Sequence, residues 1–596
     1  MLFKLMQMEK DYRKLSQEEL LIKIRELEKE VKKLNHQIIK DDRYGLNWID
    51  CPEAFEEETE NKIPILEEVK DKAISNDDGK PTHILIEGDN YHALTCLNYT
   101  HKGKIDVIYI DPPYNTGSDG FTYKDKRFLK EYPNGQPVPK EHPLRHSYWL
   151  SFMSKRLQLA KELLSACGVI FISIDNNEFA QLKILCDKIF DENNFVETFL
   201  WNKTSTPPAL SYKSRKTHEY ILCYQNKLNN DRFVGLTNED GDAPLLNEGN
   251  NEITLNFPAN YVKTNLSNGI YKAGQRDRVN LINDIEVKNG IIITKFSLCA
   301  RFRWKQETLN KEIKNGCKLI VKSNKFAIRY CRIGNRSVAP PNLITERFYN
   351  SDSIIDKSNN EVDTNEKAGE EVFNILGSKL FDYPKPTSLI SYLISFNDRS
   401  DITILDFFAG SGTTLHATMN LNEKDNGNRQ CILVQQNEKN ICEEVCYERN
   451  KRVIQGYTNS KGEEIEGLGN SLKYYKTSFV GKHSPNKVTD DDRVELSYKA
   501  GYLLALSENT LEEIKKTDYY QIFENNDNAT AIYFKEDLRG FDDFVKEVEK
   551  LEKPTSVYIF SWDNAQGFEY NFEQIKQVQI KSIPQAILEI YKSINQ

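Results

Sequence analysis

An α/β fold built on a mainly parallel sheet is what the sequence predicts, and two observations predict it. Apolar runs of strand length recur at HILIEGD (83–89), IDVIYID (105–111), VIFISID (169–175) and EYILCY (219–224), and near-continuous Ile and Val suits a sheet buried on both faces. Between the second and third lies WLSFMSKRLQLAKELLSACG, apolar at helical spacing and ending at Gly168, a good C-cap position. The order is therefore strand, helix, strand. It returns at ITILDFFAGSGTT (402–414) and QCILVQQNE (430–438), followed by a helix through Arg452.

The units follow in chain order. In residues 1–45, Leu20, Ile24, Leu27, Val31, Leu34 and Ile38 alternate in steps of four and three, the seam of a short coiled coil, with Ser16 and Glu19 placed as a capping box. Fewer than three heptads leave open whether this helix pairs with another chain or folds onto its own body. The charged stretch EAFEEETENK (53–62) reads as a linker early in a unit spanning 46–227. Residues 228–345 carry many Asn and Gly among short alternating strands, an inserted β-rich domain. A second α/β unit spans 346–480 and begins with a polar segment, SDSIIDKSNNEVDTNEKAGEE (351–371), expected to be an exposed loop. Residues 481–596 form a mixed α/β tail with VYIFSW, VQIKSIP and a final helix.

Length and composition bound the function. The 596 residues allow roughly three to four domains. Hydrophobic residues at 39% and charged residues at 28% place the chain among soluble globular proteins. No apolar stretch approaches the ~20 residues that cross a bilayer, and the N-terminus lacks a signal-peptide core, so a cytoplasmic location and no membrane partner are expected. Eleven cysteines with no CxxC pair argue against a disulfide framework or zinc cluster; no metal is expected. The net charge of −9 would alone argue against a nucleic-acid binder. From Lys295 to Arg336, however, twelve Lys or Arg stand against two acids, while the tail from Gly481 carries fourteen basic and twenty-one acidic residues. Lys295, Arg301, Arg303, Lys305, Lys322, Lys325, Arg329, Arg332 and Arg336 are thus candidates for contact with nucleic-acid phosphates, the alternative being a merely solvated face. Phe296, Phe302, Trp304, Phe326 and Tyr330, interleaved with them, suit both sheet packing and contact with unstacked bases.

Two segments carry chemistry. Asp111-Pro112-Pro113-Tyr114 follows a strand directly, where ligands bind in an open α/β sheet, and the prolines lock the turn. The Asp111 carboxylate and Pro112 carbonyl can both accept from one exocyclic amino group, and Tyr114 offers a face for stacking. Such an acceptor pair draws the nitrogen lone pair out of ring conjugation and makes it a nucleophile. The second segment, Asp406 to Thr414, ends another strand and opens a helix. Gly410 and Gly412 let backbone approach a ligand, but no lysine follows as in a Walker loop, and Thr414 replaces the third glycine of a dinucleotide fingerprint. A nucleoside ligand without a pyrophosphate fits better.

In DPPYNTG (111–117), HSYWLSFMSKRL (146–157), GVIFISIDNNE (168–178), HEYILCY (218–224), FDYPKPTSLI (381–390) and DFFAGSGTT (406–414), the chain resembles beta-class amino-group DNA methyltransferases. Among these it is most similar to modification subunits of type III restriction-modification systems. The resemblance implies a Rossmann-like, S-adenosylmethionine-dependent methyltransferase sheet in circularly permuted motif order. The insert would be a target-recognition domain, flanked at a distance by the N-terminal helix and a C-terminal α/β assembly domain. It further implies methyl transfer to adenine N6, since relatives acting on cytosine N4 more often have Ser first in the target motif. Asp111, Pro112, Pro113 and Tyr114 would hold a flipped adenine. Phe408, Gly410 and Gly412, with Asp406 and Asn115, would wrap the cofactor, and Lys385, Pro386 and Thr387 would lie along its methionine end. Asp89 would stand near the cofactor or form an ordinary Asx turn. Either Gln435 or Glu438 would bind the ribose hydroxyls.

His218-Glu219 reads as packing or a hydrogen-bond brace in preference to acid–base catalysis, and Asp175 as structural or at the substrate edge. The resemblance implies double-stranded DNA, a second copy of the chain and a restriction subunit as partners. The competing readings are a stand-alone methyltransferase, a recognition module delivering a partner nuclease or translocase, and a methyltransferase for RNA.

Overall fold

Ile84 and Ile86 point to one side of their strand and Leu85 to the other, and all three are fully buried, as a sheet covered on both faces requires. The computed structural model describes residues 48, 62–76, 78–116, 143–207, 212–234, 236–238, 243–331, 336–344, 362–483, 487–562 and 566–594. The helix expected over 1–45 lies outside them, as does most of the charged linker.

Ten strands form the central sheet: β1 (Ile63–Glu68), β2 (Thr82–Glu87), β3 (Ile105–Ile110), β4 (Leu164–Ile174), β5 (Phe195–Asn202), β6 (His218–Gln225), β7 (Leu343–Ile344), β8 (Thr403–Asp406), β9 (Gln430–Gln435) and β10 (Ser471–Val480). Their spatial order is β1-β10-β2-β9-β8-β3-β4-β6-β5-β7, and only β1 and β6 run against the rest. Helices α1 (Asn90–Thr100), α2 (Pro143–Leu163) and α3 (Phe179–Phe190) cover one face. Helices α4 (Asn365–Leu376), α5 (Thr387–Ile394), α6 (Thr413–Asp425) and α7 (Glu448–Gln455) cover the other.

Two local expectations are corrected. The helix expected to end at Gly168 stops at Leu163, and β4 follows at once. Gly168 closes a bulge between the pairs Ile105–Leu164 and Val107–Val169, where a Cβ would sit 2.8 Å from the Ile105 carbonyl. The glycine answers a close backbone approach, not a helix end. The second is the polar segment: α4 starts at Asn365, inside the stretch expected as a loop, because Ala368, Val372, Ile375 and Leu376 form a buried stripe at helical spacing.

Residues 243–331 fold into a seven-stranded and a four-stranded sheet around their own core, which includes Leu255, Phe257, Phe296, Leu298 and Ile328. A ladder of 236–238 with 336–338 joins the two ends of this body, and β7 returns to the central sheet beside β5. Phe233 packs on Phe171 and Phe396 of the central layer, so the separate β-rich body is shorter than the segment that composition marks out. In the tail, α8 (Asp490–Lys499), α9 (Gly501–Ser507) and α10 (Gln585–Ile594) join the core beneath α1 and β1 through Leu503, Leu504, Ile587 and Tyr591. A five-stranded sheet between them has a second core of its own on its far face. Among the described residues, no helix is long and apolar enough to cross a membrane.

Candidate active site

Strands β3 and β8 are hydrogen-bonded neighbours running the same way, with Val107 opposite Ile404 and Ile108 opposite Leu405. The turn at 111 and the glycine bend at 406–412 therefore leave the sheet side by side, on the carboxyl edge where α/β sheets bind ligands. The ends of β2 and β9 reach the same edge. So does the start of β6, which runs the opposite way and pairs Tyr220 with Ile174 at the end of β4.

The Asp111 side chain is 26% exposed and marks the open mouth of this edge. Its Oδ1 accepts from the Tyr114 hydroxyl at 2.6 Å and its Oδ2 from the Lys385 ammonium at 2.7 Å. Lys385 Nζ also lies 3.1 Å from the Tyr114 hydroxyl and 3.4 Å from Glu219 Oε2. Lys203 donates to Glu219 Oε1 at 3.0 Å, and the Tyr114 hydroxyl lies 3.2 Å from Glu219 Oε2. Two carboxylates and one ammonium thus meet at one phenol, and a second ammonium holds Glu219. Burial pushes the Asp111 carboxyl up from its ordinary pKa, an effect that Lys385 partly opposes. Burial alone would lower the Lys385 ammonium, but Asp111 and Glu219 outweigh it and hold that group above the ordinary lysine value. Burial likewise would raise Glu219, yet Lys385 and Lys203 prevail and keep it below the usual carboxylate range.

The turn is pinned from several sides. Trp149 of α2 donates its indole N–H to the Pro113 carbonyl at 2.7 Å, and Pro112 is buried. Asn115 adopts a left-handed conformation (φ 54°) and donates to Glu178, whose same oxygen lies 2.7 Å from His146 Nδ1. The Tyr114 ring is buried in the core, with the Lys385 ammonium 5.2 Å from its centroid, so the face expected to be open for stacking is largely covered.

The glycine bend is built from behind. Asp406 accepts from the Phe408 amide at 3.0 Å and the Thr414 hydroxyl at 2.5 Å, and burial pushes its carboxyl up to about 7. Gln435 accepts from the Gly410 amide at 2.7 Å. Gly412 (φ 74°) has no room for a side chain, since a Cβ would lie 2.2 Å from Asn450 Nδ2. Arg449 of α7, fully buried, donates to the Ser411 hydroxyl (3.0 Å), the Thr413 hydroxyl (2.8 Å), the Thr387 hydroxyl (3.1 Å) and Glu371 (3.1 Å). Thr387 donates in turn to Glu371 at 2.6 Å, and Pro386 caps α5. Asp406, Gln435 and Thr387, expected to touch a cofactor, thus direct their side chains into the bend's own framework. Phe408 packs on Phe152, and Gly410 keeps partial exposure.

The remaining expected residues fall in three places. Asp89 caps α1 through the Tyr91 amide (2.8 Å) and pairs with Arg156 (3.2 Å), while Glu438 stands in a short turn after β9. Asp175 forms an Asx turn with the Asn177 amide at 2.8 Å. In the insert, Lys295, Arg301, Arg303, Lys305, Lys322 and Lys325 are exposed, and Arg329 is half-buried. Lys325 pairs with Asp277 at 3.2 Å, and Arg301 donates to the Glu248 carbonyl at 3.0 Å. Arg332 and the Arg336 side chain lie outside the described residues. The interleaved aromatics Phe296, Phe302, Trp304, Phe326 and Tyr330 are all buried; sheet packing claims them, and contact with bases does not. Among the described residues no cluster of His, Cys, Asp or Glu could hold a metal ion. Glu219 is seated in the site as the brace that its dipeptide suggested. Lys203, Glu371 and Arg449 carried no signal, because each works through partners far away in sequence.

Residues 105–459 match the family model described as DNA methylase, of the N6/N4 type. The chain is 31% identical over 462 residues to the EcoPI Mod subunit of a type III restriction-modification enzyme from Escherichia phage P1, covering 71% of this chain and 67% of that protein. It is 32% identical over 375 residues to the StyLTI Mod subunit from Salmonella typhimurium, covering 60% of this chain and about half (53%) of that protein. It is 29% identical over 406 residues to the type II methyltransferase M.KpnI from Klebsiella pneumoniae, covering 66% of this chain and 90% of that enzyme. Since the matched region takes in both strand-end segments and more than half of the sequence, the chain belongs to the N6/N4 DNA methylase family.

Proposed function

We propose that this DNA methylase transfers a methyl group from S-adenosylmethionine to adenine N6 in double-stranded DNA, as the modification and sequence-reading subunit of a type III restriction-modification system. The observation that carries this reading is the pairing of β3 with β8, which sets an acceptor turn beside a glycine bend. The bend suits a nucleoside cofactor: Gly410 is left-handed, and a Cβ there would stand 3.1 Å from the Phe381 ring, filling the space that bare backbone leaves. Phe408, Gly410 and Gly412 would hold such a cofactor, with Lys385, Pro386 and Asn115 nearby. When bound, it supplies a methyl group activated on a sulfonium.

The rest falls to the chain. Asp111 accepts from the target amino group and polarises the nitrogen, and the seated base would close the open mouth to water. A duplex hides N6 in a base pair, so the base must be flipped out at a cost of a few kcal/mol. Stacking on Tyr114, worth ~1–3 kcal/mol, would offset part of this once the ring is uncovered. The aspartate heading the turn supports adenine over cytosine, and the EcoPI and StyLTI likenesses support the type III assignment with a restriction subunit as partner. The exposed basic side chains of the insert would meet DNA phosphates. The tail would serve assembly, including association with a second copy. Asp111→Ala should retain the fold, cofactor binding and DNA binding but lose methyl transfer by about 10²-fold or more; normal turnover in that variant would end the assignment.

A further inference from the structure

We propose that Glu219 is a positioning residue for methyl transfer: it shares Lys385 with Asp111, and so sets how firmly Lys385 grips the carboxylate that must receive the target amine. This deepens the methylation reading and rests on it. An ammonium has three donors, and Asp111, Tyr114 and Glu219 are the three acceptors around Lys385, at 2.7, 3.1 and 3.4 Å. The Lys385 main chain is held to the glycine bend, where its carbonyl accepts from Thr413 at 3.2 Å. Its ammonium therefore reaches the target turn from a fixed base and can shift only between neighbouring acceptors.

The chemistry sets opposite limits on that grip. Without Lys385, burial would push the Asp111 carboxyl further up towards its protonated form, which accepts an N–H poorly. With Lys385 committed wholly to Asp111, the carboxylate would be a weaker acceptor and its open lone pairs more crowded. Glu219 draws the ammonium off Asp111, and Lys203, on the solvent side, restrains Glu219. The titratable groups facing Asp111 are Tyr114 on its own turn, Tyr109 on β3, Lys385 before α5, Glu219 on β6 and Asp406 ending β8. Lys203 after β5 and Asp175 after β4 face Glu219.

The test is the pH profile of kcat/KM between pH 5.5 and 9, with the full chain, isotope-labelled S-adenosylmethionine and fragmented genomic DNA lacking the modification. Activity falls on the acid side as Asp111 protonates. Lys385→Met should move that limb up by about one pH unit or more. Glu219→Gln should move it down and lower the plateau about 10-fold, and Glu219→Asp should restore part of the loss. Lys203→Met should move the limb up by less than Lys385→Met does. Circular dichroism and thermal melting identify the folded variants. A Glu219→Gln limb that is unmoved, or that moves with Lys385→Met, overturns the proposal. If Glu219→Gln fails to fold, an unmoved Lys203→Met limb does the same. A wild-type chain that methylates none of this DNA would instead sink the methylation reading, and this proposal with it.

Discussion

Lys385 and Asp111 stand 274 positions apart and meet at 2.7 Å across the carboxyl edge of the sheet. One belongs to the half of the chain before the β-rich insert, the other to the half after it. The site is complete only when the return crossings bring β8 next to β3, so the insert can be elaborated without moving the chemistry.

The glycine bend yields a packing prediction. Gly412→Ala combines a left-handed φ of 74° with a Cβ 2.2 Å from Asn450 Nδ2, and should cost about 1–3 kcal/mol in stability and weaken cofactor binding. Adding Asn450→Ala removes the closest contact but leaves the Cys446 sulfur at 3.0 Å, its carbonyl at 3.2 Å and the backbone strain, so the double variant should recover only part of the loss. Thermal melting and calorimetric cofactor titration measure both; full recovery would mean that neither the dihedral nor the Cys446 contacts oppose a side chain there.

Asp406 yields a pH prediction. Its folded pKa of about 7 lies above the roughly 3.9 of an unfolded aspartate. Such a group stabilises the fold below the unfolded value, and the contribution is lost as pH rises through the folded value. Asp406→Asn keeps the acceptor for the Phe408 amide and drops the charge. The melting temperature of the variant relative to wild type should therefore rise between pH 5 and 8; a difference that is constant with pH would show that burial does not hold this carboxyl up.

Arg449 is buried among hydroxyls with Glu371 as its one carboxylate partner at 3.1 Å. Among the described residues, Arg449→Met leaves that acid with Thr387 and His416, and should cost about 3–5 kcal/mol. Arg449→Met with Glu371→Gln removes the uncompensated charge and should recover at least half of this in urea denaturation. Equal losses in the single and double variants would place the cost in the lost hydroxyl contacts.

What the sequence reveals about this site follows the range of the forces involved. Asp111, Gly410 and Gly412 are legible because a turn or a bend is decided within a few residues by proline, glycine and the strand before it. Gln435 is legible as a strand-end polar group, but whether its amide faces a ribose or the Gly410 amide depends on how β8 and β9 lie together. Glu219 announces itself only as a polar residue in an apolar strand; its two lysines come from other elements. Gly168 misleads because a helix end and a strand bulge both favour glycine, and only the neighbouring Ile105 carbonyl separates them. The aromatics of the insert mislead for a related reason: period-two alternation places them opposite the cations, and which face is dry is a tertiary fact.

The same alternation supplies the last prediction. Along and beyond the strand at 296–301, Phe296, Leu298, Ala300, Phe302 and Trp304 are buried, while Arg301, Arg303 and Lys305 between them are exposed. A row of exposed cations running from the end of a strand to the start of the next helix is suited to phosphates, which are spaced along a duplex without regard to sequence. Arg303→Ala and Lys305→Ala should each weaken binding by a similar factor for every duplex tested and lower the slope of log affinity against log salt by about 1. Both should leave the melting temperature nearly unchanged, because neither side chain is buried. Binding measured from 50 to 200 mM salt on several unrelated duplexes decides the matter. An unchanged slope would remove this face from the DNA interface, and a loss confined to one sequence would move these residues from phosphate contact to base reading.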